Sequence, residues 1–178
     1  KVWKDELPDD VAARSLAGYD AFYAAIDDLY VSLAQKFGIF VVFDLHTYNH
    51  RRAGPEGPLA DPEGNPQVNI GTGTMKNRGK FARLIERFQS DLSNYAFPGG
   101  ILDVRENIKF FGGNHARWTH EKFPDSACML AIEFKKFFMD EWTGKPNGLQ
   151  VEAIGKALAS TVPGVMEEVE RIQISASK

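Results

Sequence analysis

The feature that most constrains the fold is a run of five apolar residues followed directly by polar ones. Ile39-Phe40-Val41-Val42-Phe43 contains only β-branched and aromatic residues and does not alternate with polar ones. This pattern predicts a strand buried on both faces, as in a parallel sheet covered by helices. The run therefore favours an α/β fold. Asp44 and His46 are expected where this strand ends, and open α/β sheets bind ligands beyond the carboxyl ends of their strands.

The rest of the chain alternates helices and strands. Asp9 and Asp10 can cap a long amphipathic helix with Gly38 just past its end, and a second helix is predicted from the apolar spacing between Phe81 and Leu92. The further strands are predicted at 67–70, 101–104, 107–111 and 129–134, and the last helices at about 149–172, broken at Pro163-Gly164. Helices and strands in this order predict one α/β domain over residues 1–178.

Composition excludes several functional classes. The 178 residues carry a formal net charge of −3, so a broad nucleic-acid footprint or an anionic membrane surface is not expected. The apolar runs are too short to span a bilayer. The chain has one cysteine, Cys128, which excludes an internal disulfide and favours a reducing, cytoplasmic compartment.

The segment Asp44–Arg52 concentrates the groups that can carry chemistry. Strand alternation directs Asp44 and His46 to the same side and Leu45 into the core. Asp44 is then expected to hydrogen-bond His46 and orient its ring, as a carboxylate does for a metal-binding histidine, or to bond the backbone instead. His46 and His50 lie four residues apart, but Thr47 occupies the position of the glutamate in the helical zinc-protease motif, and the segment follows a strand. We therefore reject the helical protease interpretation.

Glu133 is the other candidate catalytic group. It interrupts the apolar strand 129–134, where burial of a carboxylate would raise its pKa towards the range of a general base. The alternative is a strand-end glutamate paired with Lys135 or Lys136. Arg105 and Arg117 could each bind a substrate carboxylate through a bidentate bond, or could equally bond loop carbonyls.

Three glycine-rich or proline-rich segments are predicted to be loops. Residues 53–66 hold four prolines and three glycines, and a loop of this length is more often functional than idle. The stretch Gly112–Trp118 is expected to be mobile and polar. Gly71-Thr72-Gly73-Thr74 lacks the lysine and the spacing of a P-loop, so it is a weak phosphate signal. Cys128 is expected to be a small core residue.

Four of these motifs, in this order, resemble the N-formylglutamate amidohydrolase family. They are Asp44–Arg52 (DLHTYNHRR), Asn69–Gly73 (NIGTG), Gly112-Gly113 and Ala131–Trp142 (AIEFKKFFMDEW). The resemblance extends from Phe37 to Val162. It implies a phosphorylase/hydrolase-like, zinc-exopeptidase-like fold, which is a three-layer sandwich with a mostly parallel central sheet.

The resemblance also implies a mechanism and a site. Zinc would be a cofactor, with His46 as the ligand on a strand end, in a setting similar to that of zinc carboxypeptidases. Glu133 would activate the attacking water and then protonate the leaving amine. The substrate implied is a small acidic N-acyl amino acid such as N-formyl-L-glutamate, and the candidates to bind it are Asn49, Arg51, Arg52, Arg105 and Arg117.

The sequence departs from the family pattern at one point. The family's first histidine and glutamate ligands precede the strand of His46, and this chain has no histidine before His46. We therefore expect the N-terminal part of the domain to be missing. Two alternatives stay open: a carboxypeptidase-like or cell-wall amide hydrolase with the same mechanism, and a non-catalytic module that binds a carboxylate or a partner protein. Sequence leaves the oligomeric state open.

Overall fold

The computed structural model describes residues 6–176, which separate into two compact units, one up to Gly38 and one from Ile39. The first unit is helix α1, Asp9–Phe37. It begins after Pro8, so Asp9 and Asp10 lie in its first turn rather than at the capping position. Gly38 ends it in the left-handed region (φ 71°), as predicted, with its N–H bonded to the Ala34 carbonyl at 2.8 Å.

Among the described residues, the second unit contains four strands and three α-helices, with one short 3-10 helix at Lys136–Phe138. The strands are β1 (Phe40–Tyr48), β2 (Val68–Gly71), β3 (Val104–Glu106) and β4 (Ala127–Lys135), and the helices are α2 (Arg78–Asn94), α3 (Asn114–Lys122) and α4 (Gly148–Ala176). The order in the sheet is β1-β4-β2-β3. β1 pairs parallel to β4 and β2 parallel to β3, but β2 runs antiparallel to β4. The α/β class is confirmed, with a mixed sheet.

Helices α2 and α4 cover one face of this sheet. The five α2 residues that the apolar spacing selects, Phe81, Leu84, Ile85, Phe88 and Leu92, are all fully buried. They join a core cluster with apolar residues of β2, β4 and α4, and Cys128 is buried in the same cluster as predicted. The apolar face of the helix and the apolar face of the sheet are buried against each other, which removes both surfaces from water.

The predicted break in the last helix is wrong. α4 is one continuous helix with Pro163 inside it. Proline removes one backbone hydrogen bond, but packing against α2 stabilises the helix across that point. A Cβ on Gly164 would lie 2.2 Å from the Asp91 carboxylate of α2 and 2.6 Å from the Arg87 side chain. The glycine is therefore required by close helix–helix approach.

Strand β1 differs from its prediction in length and in burial. It runs on to Tyr48, so Asp44 and His46 lie within the strand, not past its end. Because β1 is at the edge of the sheet, Val41–Asp44 are only partly buried. Leu45 lies on the side of the helices, but it is 57% exposed. An open groove of about 170 Å³ separates it from α4, so the prediction that Leu45 points into the core is wrong.

The segment around Arg105 also differs from prediction. The two strands predicted at 101–104 and 107–111 are replaced by the single strand β3, which contains Arg105. Asn107 adopts a left-handed conformation (φ 52°) directly after it, which ends the strand. The Gly112–Trp118 stretch is not a mobile loop, because Asn114–Trp118 form the first half of helix α3 and Gly113 directly precedes it.

His120 on α3 links that helix to the sheet and predicts a pH dependence of stability. Its Nε2 accepts the Met129 N–H at 3.2 Å and its Nδ1 bonds the Thr74 hydroxyl at 2.9 Å. Burial lowers the pKa of His120 to about 4. The unfolded chain takes up a proton near pH 6.5 and the folded chain does not, so stability falls as the pH drops from 6.5 towards 4.

We expect His120 to lower the free energy of unfolding by about 2 kcal/mol as the pH falls from 7 to 5. Urea unfolding of the wild type and of His120→Gln at both pH values measures it, since carboxylates common to both proteins cancel in the difference. Equal losses in the two proteins would contradict the assignment to His120.

Candidate active site

The face of the sheet opposite α2 and α4 carries the polar side chains. Asp44, His46 and Tyr48 alternate along β1 towards this face. The strand register places His46 beside Glu133 of β4, Glu133 beside Asn69 of β2, and Asn69 beside Arg105 of β3. Directly paired residues share a face of the sheet. His46, Glu133, Asn69 and Arg105 therefore form one row across it, although they lie up to 87 positions apart in the chain.

Asp44 bonds His46 as expected from strand alternation. The His46 Nε2 lies 2.9 Å from the Asp44 Oδ2, and the Asp44 side chain is 16% exposed against 49% for His46. This pairing occupies Nε2, so Nδ1 is the ring nitrogen that is left to bind another group. The half-exposed ring is accessible to a ligand.

His115 is a member of this cluster that sequence reasoning did not select. It lies in the first turn of α3, and its Nδ1 is 3.9 Å from the Asp44 Oδ1. The carboxylate of Asp44 thus lies between two imidazoles. The sequence signal was the polar stretch Gly112–Trp118, but its placement beside β1 depends on how α3 packs on β4.

Glu133 has the electrostatic setting of a general base. Its pKa is raised by burial first and by the charge of Asp44, while His46 acts in the opposite direction. Lys135, on the same face, is directed elsewhere, since its Nζ donates to the Asn65 carbonyl at 2.8 Å. A carboxylate of raised pKa can accept a proton from water more readily than an ordinary glutamate.

Asn69 holds a loop against this face and was missed as a single residue. Its side chain is fully buried. The Oδ1 accepts the N–H groups of Ile108, Lys109 and Phe110 at 3.1, 2.8 and 3.3 Å, and the Nδ2 donates to the Phe110 carbonyl at 2.7 Å. The Asn69 side-chain amide therefore supplies the hydrogen bonds to the backbone of residues 108–110 that a neighbouring strand would otherwise supply.

The glycines of two of the motifs permit close backbone approach next to this loop. A Cβ on Gly71 would lie 2.6 Å from the Gly112 backbone nitrogen. Gly112 itself has φ 107°, a conformation that favours glycine. The Gly71-Thr72-Gly73 sequence is thus explained by packing against 111–112, without a phosphate.

The candidate arginines are placed differently from one another. Arg105 bonds Asp103 at 2.8 and 3.0 Å and also donates to the carbonyls of Pro62 and Glu63. It therefore anchors the end of the 53–66 loop. Arg51 donates to the Pro55 carbonyl at 3.1 Å, and Arg117 is exposed on α3.

Asn49 and Arg52 are both exposed and line one cavity of about 320 Å³ beside the 53–66 loop. That loop contains no helix or strand, as predicted. Its end is bonded to the polar face through Arg105, Lys135 and Tyr48, whose hydroxyl donates to the Pro66 carbonyl. The loop thus adjoins the row that contains Glu133.

The turn after β1 is fixed by Glu141. This carboxylate is 3% exposed and accepts the backbone N–H groups of His50 and Arg51 at 3.1 and 2.7 Å. Its Oε1 lies 3.7 Å from the His50 Nε2. Burial lowers the pKa of His50, against the effect of Glu141. His50 thus belongs to the turn and not to the His46 cluster.

The described residues do not form a complete metal site. Between residues 6 and 176, no group of three His, Cys, Asp or Glu side chains is arranged to hold a metal ion. A catalytic zinc takes about three protein ligands, so residues 6–176 do not by themselves show a full ligand set.

Comparisons with known proteins identify the family and the fold of the chain. The family model of N-formylglutamate amidohydrolase matches residues 1–138. A crystal structure of N-formylglutamate amidohydrolase from Ralstonia eutropha JMP134 has the same fold, with a TM-score of 0.64 at 19% identity over 90% of this chain. The match covers 55% of that longer chain. No curated protein matches significantly, and no helix within the described part of the chain could cross a membrane. The family match extends over more than half of the sequence, and the chain therefore belongs to the N-formylglutamate amidohydrolase family.

Proposed function

We propose that the chain provides the proton-transfer half of an active site that hydrolyses the amide bond of a small acidic N-acyl amino acid. N-formyl-L-glutamate is the leading substrate. The observation that carries this proposal is the placement of Glu133 next to His46 across β4 and β1, partly buried and with a raised pKa. Family membership supports amide hydrolysis, and the cations near this face support an acidic substrate.

In the proposed reaction Glu133 acts twice. The carboxylate takes a proton from a water molecule as the water oxygen attacks the amide carbonyl carbon. The protonated Glu133 then delivers that proton to the amine nitrogen as the C–N bond breaks, which leaves formate and the free amino acid. Asp44 holds the His46 ring in position throughout.

We further propose zinc as the cofactor, with His46 as one ligand through Nδ1. Zinc would polarise the amide carbonyl and lower the pKa of the attacking water. The described residues show no complete set of three ligands around His46. The Asp-x-His arrangement of Asp44 and His46 supports a relationship to zinc carboxypeptidases. The single, buried Cys128 supports a reducing, cytoplasmic environment.

Metal content tests this part of the proposal. We expect zinc to copurify with the longest natural form of the protein, and His46→Ala to lose it together with hydrolysis of N-formyl-L-glutamate. Elemental analysis and a formate-release assay measure the two effects. His50→Ala is the matched control, because His50 contacts Glu141 instead of Asp44, and it should retain the metal. Zinc retained in His46→Ala would remove His46 from the ligand set. If neither activity nor zinc is found in the wild type, the non-catalytic binding module becomes the better account.

A further inference from the structure

The charged side chains that line a cavity beside the proposed catalytic face are all cationic. The cavity of about 320 Å³ is lined by the turn after β1, the 53–66 loop and the loop after β3; the residues that matter here are Asn49, His50, Arg52, Pro58, Asn65 and Lys109. The two charged residues, Arg52 and Lys109, are both cationic, and no carboxylate is among the described residues that line it. The neighbouring cavity of about 490 Å³ contains Glu56, Asp140 and Glu141 beside its cations. The charge of the lining residues therefore favours the cavity of about 320 Å³, and not its neighbour, as a site for an anion.

Lys109 is held in place at both ends. Its backbone N–H donates to the Asn69 Oδ1 at 2.8 Å. Its ammonium donates to the Asn65 Oδ1 and lies 5.2 Å from the centre of the Tyr48 ring. An ammonium has three donors, so further hydrogen bonds to a bound anion are possible without moving the side chain.

The wall that faces Lys109 is also fixed. The Ala60 N–H donates to the His50 carbonyl at 3.0 Å and closes the segment that contains Arg52. Lys109 also acts on Lys135, since burial, Arg105 and Lys109 lower the pKa of Lys135 against the effect of Asp103. Two cations that line one cavity without a carboxylate among its described lining residues are stabilised by a bound anion.

The cavity adjoins the row of side chains that contains Glu133. Tyr48 separates the two: its ring contacts Lys109, and Tyr48 pairs with Lys135, two residues beyond the His46–Glu133 pair. Two residues of strand span about 7 Å. A small dicarboxylic amino acid, whose amide and distal carboxylate are separated by a short methylene chain, suits two neighbouring sites of this kind, with its amide towards Glu133 and its distal carboxylate towards Lys109.

We propose that this cavity binds the side-chain carboxylate of the substrate through Lys109 and Arg52, a role that rests on the proposed amide hydrolysis. Lys109 acts as a specificity-determining residue, and Asn69 and Asn65 act as the residues that position it. The cavity thereby selects acidic over neutral N-acyl amino acids of the same size.

Substrate comparison tests the assignment. N-formyl-L-glutamate and N-formyl-L-glutamine differ in the charge of the side chain at equal size. We expect Lys109→Met to raise KM for N-formyl-L-glutamate at least about tenfold with kcat little changed, and to leave N-formyl-L-glutamine nearly unaffected. The exposed Arg52→Gln should act in the same direction without disturbing the fold. Lys156→Met, on the surface of α4, is the matched control. An unchanged preference between the two substrates in both variants would overturn the proposal.

A binding measurement separates this proposal from the hydrolysis it rests on. Glutarate carries the dicarboxylate without an amide, so calorimetric titration with glutarate needs no turnover. Weaker glutarate binding to Lys109→Met and Arg52→Gln, with unchanged binding to Lys156→Met, supports the cavity even if no N-acyl amino acid is hydrolysed. Equal affinities in all four proteins, or no glutarate binding to the wild type, would overturn it.

Discussion

Replacing Glu133 with glutamine is expected to lower kcat for hydrolysis of N-formyl-L-glutamate by about 10²- to 10⁴-fold, the usual contribution of a general acid–base group. Glutamine keeps the size and the hydrogen-bonding capacity of the side chain, but it cannot take a proton from water. KM should change little, because the substrate contacts remain. Steady-state kinetics by formate release measures both constants.

The acidic limb of the pH–rate profile provides an independent readout. Because burial raises the pKa of Glu133, the wild-type rate should fall as the pH drops through this raised value, where the base becomes protonated. Glu133→Gln should lose that limb. Glu121→Gln, at an exposed position of α3, is the control and should keep both rate and profile. A full rate in Glu133→Gln would exclude Glu133 as the base.

Replacing Asn69 with alanine is expected to lower the free energy of unfolding by about 3 kcal/mol or more, since each buried group left without a partner costs about 1–3 kcal/mol. The substitution removes the acceptor of three backbone N–H groups and the donor to the Phe110 carbonyl. Urea unfolding measures the loss. Asn94→Ala is the matched control, because its single side-chain bond is exposed on α2.

Hydrogen exchange locates the effect of the same substitution. The amides of Ile108, Lys109 and Phe110 should lose protection in Asn69→Ala, while those of α2 are affected only through global unfolding. Local loss here would also release Lys109 from its position in the cationic cavity. Amides at 108–110 that stay protected would show that the loop is held by other contacts.

Local patterns were sufficient where one element decides the structure. The apolar spacing of α2 selected the residues that are buried, and a glycine at position 38 ended α1, because both depend on helix geometry alone. The strand β4 was predicted from its apolar run, and Glu133 was selected because a carboxylate in such a run is costly. His46 and Asp44 were paired by strand alternation, and the structure places them in contact.

Local patterns failed where a neighbouring element decides. Pro163 and Gly164 together predict a helix break, but α4 continues because α2 packs against it at Gly164. The apolar run of β1 predicts burial on both faces, but β1 lies at the sheet edge. The residues after Arg105 resemble a strand, whereas Asn69, 39 to 41 positions away, pairs with their backbone. None of these contacts has a signal in the local sequence.

The same division applies to the candidate site. Sequence by itself determined the α/β class, the family motifs and the two residues on which the proposed chemistry depends, because each is encoded within a single strand or turn. Only the tertiary structure decided that β1 lies beside β4, which places His46 next to Glu133, and that α3 brings His115 to Asp44. It also separated the arginines, since bonds to the 53–66 loop occupy Arg105 while Lys109 lines the cationic cavity. Such assignments depend on strand order and loop packing, which are long-range interactions and have no periodicity along the chain.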